Sequence, residues 1–172
     1  SDFVRPCGTD YVGAFAVTAG RGIEEIISGY QQTDDFKALL YQSLSDRLAE
    51  AATELLHARV RRDIWGYAPD ERIDCQRALR AQYRGIRPAA GYPSLPDQSA
   101  IFAIEKIVGF ANVGIAVTPN GAMSPASSVS GLMIAHPASR YFMIGAIAPD
   151  QRRDYAARRG ITEEELSKWL PK

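Results

Sequence analysis

Cysteine and histidine are scarce, two of each in 172 residues. No C-x-x-C occurs, and Cys7, Cys75, His57 and His136 lack the spacing of a zinc site. No resident metal is expected, and the cysteines read as two free thiols in a reducing cytoplasm. Charge of one sign is also lacking. Lys+Arg and Asp+Glu number 20 each, so no overall field draws the chain to nucleic acid or to an anionic membrane. The local cluster Arg59, Arg61 and Arg62 sits among acids. No apolar run reaches bilayer length, and residues 1–5 have no signal-peptide architecture. The sequence begins at Ser1 without a Met, which fits a processed or excised piece.

What is present suits a folded domain. At 46% hydrophobic and 23% charged, the chain has the profile of a globular protein and not of a disordered one. Its length fits one domain, 1–172, able to bury a core without disulfides. Residues 11–18 are rich in β-branched and aromatic side chains and predict a buried strand. A short helix follows over 23–30. Thr33 and Asp34 are caps for a long helix running to about residue 62, in which Phe36, Leu40, Leu44, Leu48, Ala51, Ala52 and Leu55 make one apolar stripe at steps of three and four. A shorter helix is predicted over 73–83, then a loop over 84–96, and a helix capped by Asp97 and ending near Gly109. Strands are expected over about 113–118, 128–136 and 141–148, the last two as a hairpin. Asp150 is expected to cap a helix closed by Gly160, and Thr162 with Glu165 forms a capping box for the last helix. The order implies an α+β fold, with a mainly antiparallel sheet, a long central helix and flanking helices.

Few segments offer chemistry. Gly20 and Gly22 follow a strand, but the third glycine of a dinucleotide fingerprint is missing and a helix occupies the place of the second strand. Residues 124–131 carry small hydroxyl side chains without G-x-S-x-G, and neither histidine has a Ser or Cys partner in the sequence, so no nucleophile elbow or triad is supported. The loop 87–93 stands out. Two prolines stiffen it, Gly91 allows a positive φ, Arg87 offers a planar fork for a carboxylate or phosphate, and Tyr92 adds an aromatic face. Read alone, it serves equally as a proline-rich connector with a surface arginine. Asp46, Glu50 and Glu54 fall at successive i+4 positions on the long helix. They read either as a solvated face relieved by Arg47 and His57 or as an acidic strip toward a cationic ligand.

Residues 87–93 carry R-x-x-x-G-Y-P, and with it the chain resembles the activation domain of cobalamin-dependent methionine synthase. The likeness runs the length of the sequence. It includes the stretches at 15–18, 46–51, 65–69, 85–88, 126–131, 136–137 and 154–156 and the closing Trp169-Leu170, in family order. The resemblance implies an S-adenosylmethionine-binding module that supports reductive remethylation of cob(II)alamin, in a parent enzyme that moves methyl from methyltetrahydrofolate to homocysteine. By motif, Arg87 would take the ligand carboxylate. Ala89, Gly91, Tyr92, Tyr141, Phe142 and Glu50 would line the pocket. Asp46 and Glu25 would receive the histidine that leaves cobalt. The implied partners are a cobalamin-binding module and an electron donor, flavodoxin or a flavoprotein reductase, all in the cytoplasm, with cobalamin held by the neighbour. Two departures are visible. Ala81 stands where the family has an acid, and the family's full domain is longer at the N-terminus. A non-catalytic S-adenosylmethionine sensor, a corrinoid-protein cap and a purely structural α+β domain are the competing readings.

Overall fold

The computed structural model describes residues 3–171. Its framework is a small antiparallel sheet. Strand β1, Gly13–Thr18, pairs with β4, Ser128–Met133, from Gly13 opposite Met133 to Thr18 opposite Ser128. The other edge of β4 takes up the loop start: Ile86 and Ile134 exchange both backbone hydrogen bonds (3.0 and 2.9 Å), and Leu132 N donates to Pro88 O at 2.9 Å. Alternation along β1 puts Ala14 and Ala16 against a core of Ile101, Ile104, Phe110 and Ile115, while Phe15 is buried outside that cluster. The expected strand over 113–118 shrinks to β2, Ala116–Val117, paired only with β3, Met123–Ser124.

Helix α1, Ile23–Gln31, packs on α2, Asp35–Arg59. The Asp34 carboxylate accepts from Lys37 N, as the sequence predicts. Beyond Arg59 the helix widens into a π-turn, Val60–Ile64. The apolar stripe of α2 does not face the core. Every residue of the apolar stripe is exposed, its five large side chains from 53% for Leu44 to 74% for Phe36, and the buried face is Ala38, Ser45, Ala49, Thr53 and His57. Small side chains let the α2 backbone approach the rest of the fold. Ser45 Oγ donates to Ala19 O at 3.0 Å, and Thr53 Oγ1 donates within the helix to Ala49 O.

Helix α3 is only Cys75–Leu79, and α4, Ala100–Val108, stops at Gly109, whose φ of 72° ends it. Helix α5, Pro149–Arg159, begins on Ala148, whose N–H donates to the Gln151 side chain, so Asp150 is not the cap. Gly160 closes α5, and Thr162 caps α6, Glu163–Leu166, by accepting from Glu165 N. These two helices share a small core of Ala156, Leu166 and Leu170 and are tied back to α4 through Asp97, which accepts from Tyr155 and Arg159. The expected last strand does not form. Residues 141–148 make no backbone ladder among the described residues, and Met143 is 85% exposed. A β-prone sequence needs a neighbouring strand to satisfy its amides, and none lies beside it.

Candidate functional site

The sheet fixes the loop that carries R-x-x-x-G-Y-P. Its first residues lie so close over β4 that a Cβ on Gly131 would stand 2.4 Å from Pro88 O. The loop then turns tightly: Gly91, at φ 83°, donates its N–H to Leu95 O at 2.9 Å, and the Gln98 side chain fills the space a Cβ would need. Gly91 therefore shapes the loop and does not itself line the cleft beside it.

That cleft has a volume of about 780 Å³, within the range of about 300–1,000 Å³ typical of small-molecule sites. It brings together Arg87, Ala89 and Tyr92 from the loop, Asp46 and Glu50 from α2, and Tyr141 with Phe142. A regular strand would turn those two aromatics to opposite faces. The irregular backbone here puts both on the cleft. Glu25 lies on the exposed surface of α1, outside this lining. Ala81, in a left-handed conformation (φ 49°), lines a separate, smaller hollow of about 470 Å³ that shares Tyr141 with the cleft.

Arg87 is held from behind. Its backbone N–H donates to Tyr141 Oη at 2.9 Å. Nη1 donates to Tyr83 Oη at 2.5 Å, and to Glu54 Oε2 and His57 Nδ1 at 3.2 Å each, while Nη2 donates to Glu54 Oε1. Burial works against the arginine charge, but the oxygens of Tyr83 and Glu54 outweigh it, and the guanidinium pKa is raised. Burial, then the charges of Arg61 and Arg87, push His57 down to about 3. The ring is neutral at physiological pH, its Nδ1 accepting from Arg87 and its Nε2 facing Tyr67 Oη at 3.3 Å. Burial likewise pushes Tyr83 and Tyr67 up to about 12, so both hydroxyls keep their protons. His57 thus does not relieve Glu54 on a solvated face. Arg87 does, from another segment.

The acids on the cleft are held differently. Asp46 Oδ1 accepts from Ser127 Oγ at 2.6 Å and Gln42 Nε2 at 2.8 Å. Glu50 pairs with Arg47 at 2.7 Å in an exposed ion pair. The motif pointed to Arg87, Ala89 and Tyr92. It gave no sign of Glu54, His57, Tyr83, Gln42 or Ser127, whose only trace is position: Glu54 one turn beyond Glu50, and Tyr83 four residues before Arg87. Among the described residues no group of His, Cys, Asp and Glu is placed to hold a metal ion, both cysteines are free and exposed, and no helix is long and apolar enough to cross a membrane.

Fold and cleft together define an α+β domain with a cleft of small-molecule size, with a cation fixed at one wall and two acids and two tyrosines around it. The model of the family "vitamin B12 dependent methionine synthase, activation domain" matches residues 1–160, and the chain belongs to that family. It is also similar to a crystal structure of the MetH reactivation domain bound to AdoHcy, with 41% identity and a TM-score of 0.89. That match covers 93% of this chain and 50% of the other, so the chain spans half the length of that solved relative.

Proposed function

We propose that the cleft binds S-adenosylmethionine and presents its methyl group for the reductive remethylation of cob(II)alamin in a methionine synthase. The observation that carries this is the unused donor edge of Arg87. Nε–H and one Nη2–H make no hydrogen bond among the described residues, and Arg87 lines the cleft. Two parallel donors on one edge fit a ligand carboxylate in a bidentate pair. Glu50, which lines the same cleft from α2, supplies negative charge for the ammonium group. Tyr92, Tyr141 and Phe142 supply aromatic faces to the sulfonium and the adenosine. A neutral carbocycle would leave both the arginine edge and the acids without counterparts.

In this reading the chain's own contribution is orientation: it fixes an electrophilic methyl and excludes other poses. No side chain needs to take a proton. Cobalamin, held by a neighbouring module and reduced by flavodoxin or a flavoprotein reductase, would supply the nucleophile. S-adenosylhomocysteine is the product that leaves this cleft. Asp46, with Oδ1 fixed by Ser127 and Gln42, would be the acid in this cleft to receive a histidine from the cobalamin-binding module. Glu25 would reach that histidine only from the separate surface of α1.

Calorimetric titration with S-adenosylmethionine tests the reading. The unaltered chain is expected to bind saturably, and Arg87→Ala to lose about 1.5–3 kcal/mol, the range for hydrogen bonds to charged groups. Equal binding by both would overturn the assignment of Arg87, and no binding by the unaltered chain would overturn the site. Mixing the chain with a cobalamin-binding module, a reductant and methyl-labelled ligand then separates remethylation from binding alone.

A further inference from the structure

We infer that Glu54, His57 and Tyr83 are positioning residues that lock Arg87 with one donor edge turned to the ligand carboxylate, an inference that rests on the proposed S-adenosylmethionine site. The donors of the guanidinium can be counted. Glu54 spans Nη1 and Nη2, and Tyr83 Oη and His57 Nδ1 add acceptors at Nη1. This consumes the Nη1 side and leaves Nε–H beside the second Nη2–H as the one unused fork. None of the three partners lines the cleft, whereas Arg87 does. They stand behind the arginine and do not occupy the place of the ligand.

Each partner is itself fixed. Tyr83 lies beneath the Arg61 guanidinium, 4.2 Å from the ring centroid, and the buried Arg61 is paired with Glu71 at 2.5 Å. His57 is fully buried, stands edge-on to Tyr83 at 5.1 Å between ring centres, and faces Tyr67 Oη through Nε2. Glu54 is carried by the rigid α2. An arginine with free rotamers would have to be ordered by the ligand. Here the ordering is done before binding. The opposite reading, in which Glu54 plugs the site and must be evicted, would put Glu54 in the lining of the cleft, and it is not part of that lining.

The test uses two ligands, S-adenosylmethionine and 5′-methylthioadenosine, which lacks the amino-acid carboxylate. The full chain is titrated with each, beside Arg87→Ala, Glu54→Gln and Tyr83→Phe. Glu54→Gln and Tyr83→Phe are expected to weaken S-adenosylmethionine by about tenfold, the low end of what loss of an orienting partner costs a metal ligand. Binding of 5′-methylthioadenosine is expected to stay unchanged. Should Glu54→Gln fail to fold, Tyr83→Phe decides alone, because it keeps the ring and removes only the hydroxyl. If Arg87→Ala weakens S-adenosylmethionine but the two partner variants bind it as well as the unaltered chain or better, the positioning role is wrong. Equal weakening of both ligands is the signature of a general folding role and also overturns it. No binding of either ligand to the unaltered chain would instead overturn the underlying site assignment, and this inference with it.

Discussion

His57 couples this site to pH. Its burial, then the charges of Arg61 and Arg87 nearby, lower its pKa from an ordinary 6.5 to about 3. The unfolded chain therefore takes up a proton on this residue below about pH 6.5 that the folded chain refuses until about pH 3. Where the unfolded state binds more protons, stability falls as pH falls, so the contribution is complete above pH 6.5 and is lost through that window. The limiting slope is about 1.4 kcal/mol per pH unit. Urea unfolding from pH 6.5 to 4.5 should show the unaltered chain losing stability faster than His57→Gln, which has nothing to titrate there. Carboxylates titrate in both proteins and cancel in the comparison, and parallel pH profiles would refute a neutral buried His57. The motif made Arg87 legible as a candidate site residue, but not the contact it makes with His57. A histidine on a helix looks alike in sequence whether it meets water or, as here, an arginine from a loop 30 positions away.

Helix α2 shows what periodicity reveals about an element and what it does not. The 3.6-residue pattern and the Asp34 cap gave its start and nearly its length. The pattern did not reveal the inner face, because an apolar stripe on a helix need not be the side that the fold buries. The fold instead uses Ala38, Ser45 and Ala49 for close approach, and the leucines face outward. None of the described residues covers these leucines. The two faces should respond oppositely to substitution. Ala49→Leu, at a position 1% exposed, is expected to lose about 1–3 kcal/mol through overpacking. Leu44→Ala and Leu48→Ala, each more than half exposed, should change stability by less than about 0.5 kcal/mol. Urea midpoints of the three variants check this. A loss of about 2–5 kcal/mol on truncating either leucine would place that face in the core. The absent strand over 141–148 has a related cause. Alternation and β-branching describe a segment that could pair, whereas pairing needs an adjacent strand that the local sequence does not encode.

At the scale of the whole molecule, the cleft is assembled from α2, the 87–92 loop, residues 127–130 and residues 141–143, and β4 is the piece between them. β1 holds one edge of β4, and the loop start lies along the other. Gly131 sits at that junction. A methyl group there would meet Pro88 O at 2.4 Å, Pro88 C at 3.1 Å and Ala89 Cα at 3.2 Å, all backbone or directly attached to it, so no side chain can rotate away. The backbone at Gly131 is not in the left-handed region, so the penalty of Gly131→Ala is steric and not torsional. Relief requires the loop to lift from β4, carrying Ala89 with it and straining the Leu132 N–H bond to Pro88 O. Gly131→Ala is therefore expected to lose about 1–3 kcal/mol of stability. It should also weaken S-adenosylmethionine binding at temperatures where the variant remains folded. Gly145→Ala is the control, since a Cβ there meets nothing within 4 Å, and both properties should be retained. Urea unfolding and calorimetric titration on the same two preparations decide the point. If Gly131→Ala is destabilised but binds ligand as tightly as the unaltered chain, the loop's seat on β4 serves the fold alone and the cleft takes its shape from elsewhere. If both properties fall together, the approach of loop to strand at Gly131 is what makes a segment of the middle of the chain and the α2 helix before it into one binding site.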